Sequence, residues 1–190
     1  MRRSLVLVAV FSALCAGVAQ GKECLGANFT EQVEVDGSAL TLNGVGARKA
    51  TMVKLLVYVA ALYVPKSSSD GNAILGSGLP YQLVLQFMRN VSASDVSNGW
   101  EQGFAKNAKA QLPALKERIA TLNGWMADLK AGERLTFVFR PGAGVEVDVN
   151  GKAKGTIKGD DFGKSFLSIV LGADPPNPEL KAGLLGGVCE

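Results

Sequence analysis

Between Met52 and Pro65 the chain reads MVKLLVYVAALYVP, apolar at nearly every position. A helix that crosses a bilayer needs roughly 20 such residues. This run is shorter and carries Lys54, so it is not a membrane span. Its wealth of Val, Leu and Tyr and its stop at Pro65 read as a long β-strand. Side chains of a strand alternate between its two faces. Leu56, Tyr58, Ala60 and Leu62 share one face, and Leu55, Val57, Val59 and Ala61 share the other. Both faces are apolar, so the strand has to be covered on both sides. The cover is either core on both faces or core on one and an apolar ligand cleft on the other.

The neighbouring segments supply the layers. Gln32 to Val35 reads as a short strand that turns at Asp36-Gly37, and Leu40 to Gly44 as a second strand running into a Gly-rich bend. Tyr81 to Met88 is a further strand. Ser92 followed three residues later by Asp95 is a capping signature for a helix reaching about Ala110. Leu112 to Lys130 is a second helical stretch, interrupted near Asn123-Gly124. Strands then return over 134–140 and 144–149, with a short one over 154–158 after the Asn150-Gly151 turn. Asp160 to Leu171 and Pro178 to Leu185 close the chain as helices, with Asp160 as N-cap of the first. Strands, helices, strands, helices is not βαβ alternation. The expected class is α+β, an antiparallel sheet with helices packed on one face. The residues up to Asn28 read as polar loop.

The N-terminus has the parts of a secretory leader. Arg2 and Arg3 precede the apolar run Ser4 to Ala16, and small residues follow to Gly21. The expected division is a leader over residues 1–21 and one domain over 22–190. Export to the periplasm or the medium, with no permanent membrane anchor, follows. Without the two leader arginines the 20 basic residues fall to 18 against 17 acidic ones, mixed along the chain. Nucleic acid needs a concentrated positive surface, so it is not an expected partner. The chain has no histidine, which removes Ser-His-Asp and Cys-His catalysis and any His-based metal site. No metal or cofactor is expected. Cys24 and Cys189 lie near the two ends of the mature chain. In an oxidising compartment they read as a disulfide; two free thiols are the alternative.

Two polar residues stand out against apolar surroundings. Arg48 follows Gly44-Val45-Gly46-Ala47 at the expected bend. It either presents its planar fork to an anion or is solvated in a turn. Asn107 lies seven residues after Trp100, on the same face of the helix. Its amide needs a hydrogen-bond partner, either a ligand or neighbouring backbone.

At these residues the chain resembles a known family. The stretches LTLNGVGARKATMVKLLVYVAALYVP, YQLVLQFMRNVSASD, WEQGFAKN and FGKSFLSIVLGADPPNPELKAGLLG resemble, in order and spacing, the chalcone isomerase-like family and its bacterial secreted branch. The resemblance implies an open-faced β-sandwich: a large antiparallel sheet, a helical layer and a ligand cleft between them. The family holds plant enzymes that cyclise chalcones and non-catalytic fatty-acid-binding proteins. The enzymes' cleft arginine falls at Arg48 and their helix asparagine at Asn107. Their threonine falls at Leu56, their tyrosine at Trp100 and a late-helix hydroxyl near Ile169.

The anion-holding pair is thus kept while the polarising hydroxyls are replaced. That pattern implies a non-catalytic binder of a fatty acid or other small apolar acid. Arg48 and Asn107 would hold the acid, and Leu56, Tyr58, Trp100 and Ile169 would line the cleft. An isomerase or lyase with Arg48 as electrophile is the second expectation. An interaction protein with Arg48 locked in an internal salt bridge is the third.

Overall fold

The computed structural model describes residues 21–50 and 53–190. The leader expected over residues 1–21 lies, Gly21 apart, outside the described residues. The described chain opens with a hairpin, β1 (Gly21–Cys24) and β2 (Ala27–Thr30), where the sequence reads as loop. Its two-residue turn is Leu25-Gly26, both at positive φ. Leucine rarely takes that conformation, so the turn carries no sequence signal.

Seven strands then form one antiparallel sheet in chain order: β3 (Gln32–Val35), β4 (Ser38–Ala50), β5 (Leu55–Val64), β6 (Tyr81–Phe87), β7 (Arg134–Arg140), β8 (Gly144–Val149) and β9 (Lys152–Ile157). The β3–β4 and β8–β9 links are the Asp36-Gly37 and Asn150-Gly151 turns, with positive φ at both positions as tight hairpins require. Among the described residues there are five α-helices: α1 (Gly71–Gly76), α2 (Ala93–Asn107), α3 (Leu112–Trp125), α4 (Asp160–Leu171) and α5 (Pro178–Leu184). The fold is α+β, as expected.

Strand β4 differs from its expected form. It does not end in a bend at Gly44-Val45-Gly46 but continues as one strand of 13 residues, with a register shift at Asn43. The glycines serve a close approach instead. A Cβ on Gly44 would overlap the Gly183 carbonyl, and one on Gly46 would overlap that of Leu180. Helix α5 therefore lies directly on the β4 backbone. Buried Asn43 fixes the same junction. Its Nδ2 donates to Leu184 O (2.7 Å) and Ser68 O (3.1 Å), and its Oδ1 accepts from Ser68 N (2.7 Å).

The helix caps follow side-chain chemistry. The Ser92 Oγ accepts from Asp95 N at the start of α2 (3.1 Å). The cap of α4 is Gly159 rather than Asp160. Asp160 instead accepts from Gly142 N in the β7–β8 turn (2.8 Å), and Asp161 accepts from both terminal nitrogens of the Arg118 guanidinium (2.8 and 2.6 Å).

The sheet divides two cores. On one face α2 and α4 pack over an aromatic cluster of Trp100, Phe104, Phe137, Phe162 and Phe166. On the other face the β1–β2 hairpin covers Val45, Ala47, Val59, Ala61, Tyr63 and Val84. Cys24 and Cys189 are joined as a disulfide, with Cα atoms 6.1 Å apart. The bond ties the hairpin to the chain's C-terminal segment.

Candidate functional site

A cleft of about 330 Å³ opens between the end of β4, the start of β5 and the first half of α2. Its walls are Ala50, Val57, Tyr58, Phe87, Val96, Trp100 and Ile169. Arg48, Arg89, Asn90, Asp95, Asn98 and Gln102 supply polar groups around them. Such a mixture of apolar wall and few polar groups is usual for a small-molecule site of this size.

Arg48 sits on β4 directly opposite Tyr58 on β5. Its guanidinium carbon stands 5.8 Å from the Tyr58 ring centre, within cation–π range. Its Nη1 faces Gly99 of α2, where a Cβ would lie at an ordinary 3.9 Å. Arg48 is half-buried. Four ion pairs lie among the described residues, and Arg48 enters none of them.

Tyr58 is only 4% exposed, with its ring edge-on to Phe87 at 5.7 Å. Burial pushes its hydroxyl pKa up to about 12, against the opposing pull of the Arg48 charge. The hydroxyl is therefore protonated at any ordinary pH and acts as a donor. The Tyr81 hydroxyl donates to Gly163 O (2.8 Å), whereas that of Tyr58 has no hydrogen-bond partner among the described residues.

Trp100 and Ile169 also line the cleft. The Trp100 indole N–H is directed at Met126 Sδ (3.4 Å), and its ring lies near Phe137 and Phe166 at 5.6 and 5.5 Å. It offers a ligand wall rather than a donor. Ile169 is brought to the floor by a tight α2–α4 contact, since a Cβ on Gly103 would collide with it.

Two residues expected at the site are not there. Asn107 ends α2 away from the cleft, and its amide is fully engaged. Nδ2 donates to Gly103 O (3.2 Å) and Asp174 O (2.8 Å), while Oδ1 accepts from Asp174 N (2.9 Å). It latches α2 to the α4–α5 loop. Leu56 packs on the hairpin-covered face. The cause is a bulge: Arg48 opposes Tyr58, but Lys49 opposes Leu56, leaving Val57 as an extra residue. A bulge breaks strict alternation. Val57 and Tyr58 consequently both line the cleft, and Leu56 moves to the face of Val59.

Val57, Phe87, Val96, Arg89 and Asp95 were not anticipated as lining residues. The capping pattern at Ser92 and Asp95 was legible, but it did not reveal that the capped end of α2 also borders a cleft. Among the described residues no three acidic or cysteine side chains cluster as a metal site would require.

The chain belongs to the chalcone isomerase-like family, whose pattern it matches over residues 21–186. Among solved structures, a fatty-acid binding protein of Arabidopsis thaliana has a similar fold. The two are 15% identical with a TM-score of 0.68, over 84% of this chain and 92% of that one. No curated protein sequence matches the chain.

Proposed function

We propose that the chain is an exported, non-catalytic carrier of a fatty acid or similarly small apolar acid. The observation that supports this most is the pairing of Arg48 and Tyr58, a cation and a neutral donor without hydrogen-bonded or ionic partners among the described residues, at the head of an apolar cleft. A carboxylate between them receives charge-assisted hydrogen bonds from both. The tail lies along Val57, Phe87, Trp100 and Ile169, each buried methylene contributing about 0.8 kcal/mol. The similar fold of the Arabidopsis fatty-acid binding protein is in keeping with this reading.

Binding without chemistry fits the same groups. Tyr58 is too weak an acid to exchange its proton readily, and the Asp95 carboxylate is tied to the Ser92 hydroxyl (2.7 Å). No His is available as a base. Export would place the chain in an oxidising compartment, in keeping with the Cys24–Cys189 bond.

The test is native mass spectrometry of the protein purified from its export compartment, with extraction of whatever is bound. A co-purifying fatty or aromatic acid is expected. Arg48→Ala should weaken its binding by about 1.5–3 kcal/mol, the worth of a hydrogen bond to a charged group. An empty protein that takes up nothing from a mixed acid library, or an Arg48→Ala variant of unchanged affinity, would refute the assignment.

A further inference from the structure

Few large apolar side chains are exposed among the described residues, and two of them stand on one turn. Val53 is 81% exposed and Leu55 41%, at the entry to β5. A third, Leu25, is 46% exposed on the β1–β2 turn. The Gly26 backbone beside it lies against Met88, whose N–H donates to Val57 O (2.9 Å). Leu25 therefore lies towards the same end of the sheet.

Basic groups surround this tip. Lys54 lies between Val53 and Leu55, Lys49 opposes Leu56 across the β4–β5 pair, and Arg89 follows Met88. None of the three enters an ion pair among the described residues. Glu179 is an acidic group close enough to both lysines to feel their charge. Arg48 and Ala50, flanking Lys49 on β4, line the cleft. An apolar tip ringed by excess positive charge is thus continuous with the cleft mouth.

We propose that this tip docks on the surface of an anionic lipid bilayer. Val53 and Leu55 enter the headgroup–acyl boundary, while Lys49, Lys54 and Arg89 meet the phosphates. A bilayer is the occupant that the patch size favours. A stable protein interface buries roughly 1,200–2,000 Å², far more than two or three isolated side chains provide. A lipid interface accepts single apolar side chains and adds attraction for each nearby cation. Docked in this way, the cleft would receive its acid directly from the bilayer. That consequence rests on the binding function proposed above, but the docking itself does not.

Cosedimentation with phosphatidylglycerol–phosphatidylethanolamine vesicles, and with pure phosphatidylcholine vesicles, tests it. Parent and variants carry the same N-terminus, so its apolar run contributes equally to each. The parent should partition onto the anionic vesicles and release in high salt. Val53→Asp with Leu55→Asp should lower partitioning at least about tenfold, and Lys49→Glu with Lys54→Glu by about fivefold for each cation removed. Equal binding to neutral vesicles, or parent-like partitioning by the tip variant, would overturn the proposal. So would a tip variant that changes only the sedimentation coefficient, which would make the tip a contact between copies of the chain. A fluorescent fatty acid titrated without vesicles separates the two readings. The tip variant should keep that affinity, showing that its fold and cleft are intact. A parent that binds vesicles but no fatty acid would remove the cleft assignment and leave the docking standing.

Discussion

On its helical side the sheet meets large rings, Trp100, Phe104, Phe137, Phe162 and Phe166, carried on rigid helices and on β7. On its other side it meets mostly small and branched residues, Ala27, Ala47, Ala61, Val45 and Val59, with only the rings of Phe29 and Tyr63 among them, under a hairpin held by a disulfide. Both faces are apolar and both are buried, but they close differently. Small side chains let the hairpin lie flush on the sheet. Helices held off by aromatic rings leave room between themselves and the sheet, and at the N-terminal half of α2, between Val96, Trp100, Tyr58 and Phe87, that room is the cleft. Hydrophobicity alone does not separate a core from a binding site; the size of the side chains between two rigid surfaces does. One face is therefore expected to carry stability and the other affinity.

The largest effect should come from breaking the hairpin face. Replacing Cys24 and Cys189 with serine frees a closure spanning 165 residues. A loss of about 2–5 kcal/mol of unfolding free energy is expected, read from urea denaturation. Affinity for a fatty acid under folding conditions should stay at the parent value. If it falls together with stability, the faces are coupled and the division of labour fails.

The tyrosines probe both faces through pH. Burial raises the pKa of cleft-lining Tyr58 to about 12, and that of hairpin-side Tyr63 is raised mainly by burial too. An unfolded tyrosine ionises near pH 10. Below that pH the protonated form is present in both states and stability is full. As pH rises from about 10 through 12, the unfolded state loses its proton first and stability falls. For Tyr58 the shift corresponds to about 2–3 kcal/mol. Tyr58→Phe should remove that share of the alkaline loss, measured by urea denaturation at neutral pH and near pH 12. An alkaline loss identical to the parent's would show that the Tyr58 hydroxyl is not held in a water-poor site.

Much of this architecture was legible in the residues. The doubly apolar run of β5 demanded two covering layers, and Ser92, Asp36-Gly37 and Asn150-Gly151 marked element ends through ordinary capping and turn chemistry. The site was less legible, for reasons particular to each residue. Asn107 was correctly placed on an apolar helix face, but helical spacing gives only the direction of an amide, not the loop that satisfies it. Gly44 and Gly46 signal close backbone approach as readily as a bend, and the helix that approaches them is more than 130 residues away in sequence. The β1–β2 hairpin was hidden because its turn places Leu25 at positive φ. Leu56 lies on the face opposite to the expected one because alternation assumes an unbroken ladder, and no residue type announces the extra Val57.

That bulge offers the finest test of the two faces, because it puts Val57 beside Tyr58 on the cleft side and turns Leu56 to the hairpin side. Val57→Ser and Leu56→Ser each trade an apolar group for a hydroxyl and should each cost about 1–3 kcal/mol of stability. Half-buried Leu56 should sit at the lower end of that range. Their effects on binding should differ in kind. Val57→Ser roughens the cleft wall beside Tyr58 and should raise the dissociation constant of a fatty acid several-fold, since losing about 0.8 kcal/mol of apolar contact is about a fourfold change. Leu56→Ser should leave that constant unchanged. Isothermal titration of both variants against the parent distinguishes them. If Leu56→Ser weakened binding while Val57→Ser did not, the ladder in solution would alternate without the bulge. Lys49 would then oppose Val57 and Ala50 would oppose Leu56, while the Arg48–Tyr58 pair, which lies before the bulge, would stay as it is.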